Sequence, residues 1–298
     1  MRKKKKNKDQ SRMRNINKAI KMELREHKSS FAVYVILRLL IIVVMVLQFF
    51  NGNYENVFLC LLTLVLLLMP SFLQVTLKVE LPSTLEVIIL IFIFAAEILG
   101  EIQEFYLVFP FWDTLLHTLN GFLAAAIGFS LVDLLNRSDR ATFKASPLFT
   151  AIVAFCFSMT IGVCWEFFEF GMDNIMGLDM QKDTIIHTIG SVMLDPGGHN
   201  RVLTIKNITD VTVNGMDLGL GGYLDIGLID TMKDLIVNFI GAAVFSVIGF
   251  FYVKNRGHGR VVKRFVPRKK SIERDFLDIV EQESRALTQS EESDGSKG

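Results

Sequence analysis

Six blocks of apolar residues, each about as long as a membrane is thick, constrain this chain more than any other feature of its sequence. A bilayer core requires about 20 mostly apolar residues from each helix that crosses it. The blocks that meet this requirement lie at about 31–50, 54–74, 84–109, 112–135, 148–170 and 230–253. We therefore predict an all-α polytopic membrane protein with about six transmembrane helices.

Lysine and arginine are concentrated on one side of these spans. Residues 1–30 contain twelve of them against three acidic residues, and residues 254–270 contain eight against none. The second and fourth connections also contain Lys or Arg, whereas the first and third, 51–53 and 110–111, contain neither. Because cytoplasmic loops are enriched in Lys and Arg, the pattern predicts a plasma-membrane protein with both termini in the cytoplasm. The long connection 171–229 is then extracytoplasmic.

The two terminal segments are predicted to lie at the cytoplasmic membrane surface. Residues 1–30 form a basic juxtamembrane segment in which 14–27 has the pattern of a short amphipathic helix, with a solvated tail as the alternative. Anionic lipid headgroups are the predicted partners of the basic flanks, and no reader motif indicates nucleic acid. The tail 254–298 starts basic, continues with a short amphipathic stretch at 272–287, and ends in an acidic part predicted to be disordered.

Carboxylates interrupt two of the spans near their outward ends. The third span carries Glu97 and Glu101 four residues apart, and the fifth ends with Trp165, Glu166 and Glu169. Residues three or four apart lie on the same face of a helix. Ionisable groups at membrane depth are costly and usually face a bundle interior or a wet cavity. Trp165 also suits an aromatic belt at the outer interface.

The fourth and sixth spans begin with polar faces of the same kind. These faces consist of Asp113, His117 and Asn120 on the fourth span, and of Asp230, Asp234 and Asn238 on the sixth. The third and fifth spans run outward and end in their acids, whereas the fourth and sixth run inward and begin with theirs. All four polar faces are therefore predicted to meet in the outer third of the membrane.

The outer connection repeats part of this pattern. The sequence Asp183-Thr-x-x-His187-Thr echoes Asp113-Thr-x-x-His117-Thr, so Asp183 and His187 are predicted to cap the site from outside. Residues 184–194 are apolar but too short to cross, which favours a short interfacial helix. Strand-like alternation around the pair Asn214-Gly215 predicts a small β-hairpin.

So many carboxylates at one depth predict a bound cation. Like-charged carboxylates a few ångströms apart cannot all stay ionised. A divalent metal ion of unknown identity, held by carboxylate oxygen and imidazole nitrogen, resolves this most simply, and protonated acids in a proton relay are the alternative. The predicted metal ligands are His117, Glu166, Asp230 and Asp234.

Three functions are compatible with such a site. The first is a metal-dependent enzyme acting on lipid or cell-envelope precursors, with Glu166, Glu169 and Asp113 as catalytic residues. The second is a cation- or proton-coupled transporter that uses the same acids. The third is a non-catalytic envelope protein whose polar network holds its helices together. The residues predicted to support the site are Glu97, Glu101, Asn120, Asn238, Asp183, His187 and Trp165.

These motifs resemble those of the YjdF-like family of predicted bacterial inner-membrane proteins. The resemblance spans about 112–253 and rests on Asp113-x3-His117, Trp165-Glu166-x2-Glu169, and Asp230-Thr-x-Lys-Asp234 with Gly241. More distantly, the chain is similar to the VanZ-like family, linked to glycopeptide-antibiotic resistance, although Glu169 stands where that family usually has Gln. The resemblance implies a membrane protein with a polar site and implies no particular reaction.

Overall fold

The structure is a computed structural model that describes residues 2–136, 145–255 and 264–295. Its helices are α1 (Arg2–Glu26), α2 (Lys28–Phe50), α3 (Tyr54–Leu66), α4 (Met69–Leu77), α5 (Ser83–Phe94), α6 (Phe105–Val108), α7 (Trp112–Asn136), α8 (Pro147–Met176), α9 (Leu228–Lys254) and α10 (Phe276–Gly295). Its strands are β1 (Val79–Glu80), β2 (Thr184–Ile186), β3 (Thr188–Ser191), β4 (Leu203–Lys206), β5 (Thr212–Val213), β6 (Met216–Asp217), β7 (Tyr223–Asp225) and β8 (Arg268–Lys269). The basic residues of 137–144 and 256–263, used to predict orientation, lie outside the described residues.

Helices long and apolar enough to cross a membrane account for five of the predicted spans within the described part of the chain. They are Lys28–Phe50, Tyr54–Thr76, Trp112–Asn136, Pro147–Met176 and Leu228–Lys254. The second of them combines α3 and α4, which join just before Pro70. The prediction of an all-α polytopic membrane protein is confirmed.

The remaining predicted span, 84–109, is helical but irregular. α5 continues as a π-helical segment over Ala95–Ile102, and the chain then turns at Glu104, whose φ of 58° is left-handed, into the short α6. Tyr106 of α6 packs on Gly100, where a Cβ atom would lie only 2.3 Å from the Tyr106 ring. Segments of π-helix are rare and frequently lie at functional sites, and this one carries Glu97 and Glu101.

The spans form two groups, each with its own apolar core. The first group contains α2, α3 and α5, and its buried residues are Tyr34, Leu37, Ile41, Cys60, Leu67, Leu90, Ile98 and Ile102. The second contains α7, α8 and α9, and its buried residues are Ala125, Ala126, Phe129, Ala154, Ala242, Phe245, Tyr252 and Val266.

Glycines allow α7 and α9 to pack very closely in the second group. A Cβ atom on Gly241 would lie 2.1 Å from the carbonyl oxygen of Thr118, and one on Gly121 would lie 2.1 Å from that of Asn238. Small residues at a helix interface let two backbones approach in this way. The close approach fixes how far α9 is shifted along α7.

Both terminal helices lie together at one end of the molecule, here called the terminal end. Lys18 of α1 binds Glu283 of α10 at 2.7 Å, and β1 pairs antiparallel with β8. Residues 288–295, in the acidic end that was predicted to be disordered, continue α10 in the structure. Val280, near the start of this helix, is only 2% exposed and anchors it. Because extending a formed helix costs far less free energy than nucleating one, the helix continues into the acidic residues.

Residues 177–227, at the opposite end, form two-stranded ribbons, and we call this end the loop end. β2 pairs with β7, β3 with β4, and β5 with β6. The predicted hairpin is confirmed, because Asn214 and Gly215 join β5 to β6 with φ angles of 52° and 82°. The interfacial helix predicted at 184–194 was wrong, since β2 and β3 occupy most of it. Its β-branched Thr and Ile residues suit strands.

Candidate functional site

The three helices of the second group bring four predicted residues together near the loop end. Nε2 of His117 on α7 lies 3.4 Å from Oδ1 of Asp113 and 3.9 Å from Oδ2 of Asp234 on α9. Nδ1 of the same ring lies 3.8 Å from Oε1 of Glu166 on α8. The side chains of His117, Glu166 and Asp234 are each less than a tenth exposed, whereas that of Asp113 is 30% exposed. The site therefore opens past Asp113.

Asp113, His117 and Asp234 have the donor set of a metal site. One ligand atom from each residue lies within 4.8 Å of the other two. Protein nitrogen and oxygen ligands bind zinc at about 2.0–2.2 Å, and oxygen ligands bind calcium at about 2.3–2.6 Å. Small side-chain rotations would bring the three ligand atoms to either distance, so the residues fit a divalent ion.

Glu166 is the one carboxylate of this group with both oxygens buried and no hydrogen-bond partner among the described residues. The Thr231 hydroxyl group lies near it but does not have the geometry of a hydrogen bond to either oxygen. A buried carboxylate without a partner is strongly unfavourable. Its position beside Nδ1 of His117 therefore requires a neighbouring positive charge, a donated hydrogen bond or a proton.

Glu169 lies one helical turn beyond Glu166 and has a different partner. The indole N–H of Trp165 donates a hydrogen bond of 2.8 Å to Oε1 of Glu169. Trp165 also packs against Phe168 in a tilted arrangement, with ring centroids 5.4 Å apart. Trp165 therefore does more than fill an aromatic belt, because it holds a site carboxylate.

A layer of amides lies one turn deeper than the histidine and Asp234. Nδ2 of Asn120 donates to Oδ1 of Asn238 at 3.2 Å. Gly162 makes room for this amide, since a Cβ atom there would lie 2.6 Å from Nδ2 of Asn238. Below the amides, the fully buried rings of Phe129 and Phe245 fill the bundle. The site is thus closed toward the terminal end.

Asp230, a predicted metal ligand, binds the backbone of the loop that follows α8. Its Oδ2 accepts a hydrogen bond of 2.7 Å from the backbone N–H of Lys182. Asp173 does the same nearby, accepting from the backbone N–H groups of Met180 at 2.6 Å and of Gln181 at 2.9 Å. Residues 179–182 form a loop clasp across the ends of α8 and α9. The role of Asp173 went unpredicted, although it continues the Glu166–Glu169 face.

The other predicted site residues lie outside the cluster. Glu97 is half-buried and Glu101 is exposed on the π-helical segment, and Glu101 is near enough to Asp113 and Lys182 for electrostatic interaction. Nδ1 of His187 lies 2.9 Å from the carbonyl oxygen of Ile208, within the loop end. Asp183 is exposed on the loop end, where its neighbours include Asp173, Asp179 and Asp225.

Residues 33–255 match the model of a family described as "Predicted membrane protein (DUF2238)". No curated protein and no solved structure matches the chain significantly. The matched residues include both helix groups and the whole of the Asp113–His117–Asp234 cluster with Glu166.

Proposed function

This chain belongs to the DUF2238 family of predicted membrane proteins, and from that premise we propose that it is a divalent-metal-dependent enzyme acting on lipid or cell-envelope precursors. One observation carries the proposal. Asp113, His117 and Asp234 place three ligand atoms within 4.8 Å of one another, beside the buried and unpartnered carboxylate of Glu166. Without the buried Glu166 carboxylate, the acidic cluster alone would support a metal site less strongly.

The two nitrogens of His117 suggest separate roles. Nε2 faces Asp113 and Asp234, so it is the proposed metal ligand together with those carboxylates. Nδ1 faces Glu166, and an N–H group there would donate to that carboxylate. Histidines that bind metals usually donate their other ring N–H in this way, which fixes the tautomer and raises ligand basicity.

The remaining acids supply proton transfer and access in this proposal. A divalent ion at such a site lowers the pKa of bound water and polarises phosphoryl or carbonyl oxygen. Glu169, held by Trp165, lies beside the ligand group and is the proposed general base. Asp113 is the most exposed ligand, so a substrate would enter past it.

The proposed orientation in the membrane follows from the positions of the basic residues. The terminal end carries exposed basic residues on α1, which are Arg12, Arg14, Lys18, Lys21 and Arg25. Because cytoplasmic segments are enriched in Lys and Arg, we place the terminal end in the cytoplasm, next to anionic lipid, and the loop end outside a bacterial plasma membrane. The YjdF-like resemblance agrees with this location. The site then lies near the outer headgroups, which suits a lipid-borne substrate.

A carrier using the same acids would need a route from the site to the terminal end. Phe129 and Phe245 are fully buried below the amide layer, with ring centroids 6.0 Å apart. Ala125, Ala154 and Ala242 pack around them. This packing favours an enzyme that is open on one side.

Metal content tests the proposal directly. Protein purified in detergent is analysed by elemental mass spectrometry beside His117→Ala, Asp234→Asn and His187→Ala. The last is a matched control, because His187 lies in the same Asp-Thr-x-x-His-Thr pattern but bonds to Ile208. We expect a stoichiometric divalent ion in the parent and in His187→Ala, and its loss from the other two.

The absence of any ion from all four folded proteins, even after dialysis against divalent metals, would reject the proposal. Where an ion is bound, the parent and His117→Ala are incubated with bacterial lipid extract in mixed micelles. Mass spectrometry should then detect a lipid product that forms with the parent alone.

A further inference from the structure

The two helix groups meet beside the loop end and again near the middle of α7. Toward the loop end, the indole N–H of Trp112 donates to the carbonyl oxygen of Ala95 at 3.3 Å. The ring of Phe105 supports this contact, with its centroid 4.9 Å from that of Trp112. Farther along α7, Leu123 shares a buried cluster with Leu85 of α5 and with Leu81, which precedes α5.

Residues of the C-terminal segment enter this second meeting place. Phe265 packs on the leucine cluster, and its ring centroid lies 5.2 Å from that of Phe122 in an edge-to-face arrangement. The next residue, Val266, is 4% exposed and belongs to the core of α7, α8 and α9. We call residues 264–275 the tail wedge, because its apolar tip lies where α5 and α7 meet.

The rest of the tail wedge is attached mainly by charge. Lys270 forms a buried ion pair with Glu23 of α1, in which neither side chain is more than 3% exposed. The backbone pairing of β8 with β1 adds a second attachment. The remaining ion pairs join Arg274 to Glu26 and Glu80, and Asp275 to Lys78.

We infer that the tail wedge is a detachable element that controls the spacing of α5 and α7, and through it the geometry of the site. α7 carries Asp113 and His117, whereas the π-helical continuation of α5 carries Glu97 and Glu101. Separating these helices beside Leu123 therefore changes the distance between two walls of the site. Salt screens the more exposed pairs of Arg274 and Lys78, whereas loss of one partner from the buried Lys270–Glu23 pair would leave an uncompensated buried charge. The wedge is otherwise held by the pairing of β8 with β1, by its apolar tip, and by α10, which follows it.

Thiol accessibility tests this inference independently of metal binding. Cys156 and Cys164, both exposed, are replaced by Ala, and Cys60, which is fully buried in the first group, is kept. Leu123→Cys adds a thiol under the wedge. The rates at which a polar maleimide labels positions 60 and 123 are measured by mass spectrometry on the full chain in detergent.

Four variants are compared in this background. Lys270→Glu places like charges at the buried pair, and Glu23→Lys with Lys270→Glu restores opposite charges. Phe265→Ala shortens the apolar tip. Arg285→Ala is the control, since Arg285 is 77% exposed and pairs with Glu281 of its own helix.

We expect labelling at position 123 to accelerate at least tenfold in Lys270→Glu and in Phe265→Ala, with position 60 unchanged. The charge-swapped variant should return to within twofold of the parent rate, and Arg285→Ala should match the parent. Unchanged labelling at position 123 in both of the first two variants would overturn the inference. Equal acceleration at positions 60 and 123 would also overturn it, because the segment would then be part of a single folded core.

Discussion

Nδ1 of His117 on α7 lies 3.8 Å from Oε1 of Glu166 on α8, and both side chains are almost fully buried. The imidazole therefore faces a carboxylate whose two oxygens have no hydrogen-bond partner among the described residues. Two helices remote in sequence meet at this pair. Whatever charge the site holds, the pair couples the tilt of the ring to the position of α8.

Glu166→Gln should weaken metal binding without unfolding the protein. The amide keeps the shape of the side chain but removes the charge that orients His117, and such changes typically cost about 10–100-fold in metal affinity. The affinity is measured by competition with a chromogenic chelator. Glu104→Gln, at an exposed glutamate, is the control and should bind like the parent. Equal affinity of the Glu166 variant would show that the imidazole needs no such partner.

Gly241→Ala should destabilise the bundle of α7, α8 and α9. Its Cβ atom would meet the carbonyl oxygen of Thr118 at 2.1 Å, and overpacking of this kind typically costs about 1–3 kcal/mol of the free energy of unfolding. Gly171→Ala is the control on a helix with nothing within 4 Å of its Cβ atom. It should be neutral or stabilising by about 0.5–1 kcal/mol. Unfolding in mixed detergent micelles measures both, and equal stability of the two variants would contradict the close packing.

Asp173→Ala should loosen the loop clasp. It removes the acceptor of two backbone N–H groups, those of Met180 and Gln181. A protease should then cut within residues 177–183 several times faster than in the parent. Asn174→Ala changes the neighbouring exposed residue, whose side chain donates only to Phe170 of its own helix, and should leave cleavage unchanged. Identical cleavage of the two variants would mean that the clasp is held elsewhere.

Acid should weaken the attachment of the tail wedge through Asp275. Burial alone would raise the pKa of Asp275, but hydrogen bonds from Lys78 and from the backbone N–H of Asp278 lower it below the usual value. A carboxyl group with a lowered pKa in the folded state stabilises that state above its unfolded pKa, about 3.9. This contribution is lost as the pH falls through the folded value.

Spin labels on exposed positions of α1 and α10 can follow this attachment. The distance between them should be narrowly distributed at pH 7 and broaden below about pH 4. Asp275→Asn removes the charge at every pH, so its distribution should already be broad at pH 7. A narrow distribution at neutral pH in that variant would exclude Asp275 as an anchor.

Helical periodicity predicted which residues share a face but could not select the turn that meets its partner. Asp230 and Asp234 lie one turn apart on α9, and both were predicted as metal ligands. The structure places Asp234 beside His117, whereas Asp230 accepts a hydrogen bond from the backbone N–H of Lys182. The difference depends on the axial shift between α7 and α9, which the packing at Gly241 sets.

Local sequence patterns could not predict which distant segments of the chain pair with each other. β2 and β3 pair with strands more than ten residues away, so a short apolar run there was mistaken for a helix. The tail wedge depends on Phe265 meeting Phe122, more than a hundred residues earlier. By contrast, membrane spans such as Trp112–Asn136 could be predicted, because a span is recognised from the length and hydropathy of its own residues.

The pairing of Thr184 with Asp225 closes the base of the loop-end ribbons. Asp225 is also fixed to the start of α9, because its Oδ2 accepts from the backbone N–H of Ile229 at 2.8 Å. Everything between these paired residues is therefore a side branch of the chain, which can grow or shrink without pulling on α8 or α9. A reporter protein inserted between Asn214 and Gly215 would be attached at the tip of that branch. The spacing between α8 and α9 would then stay unchanged.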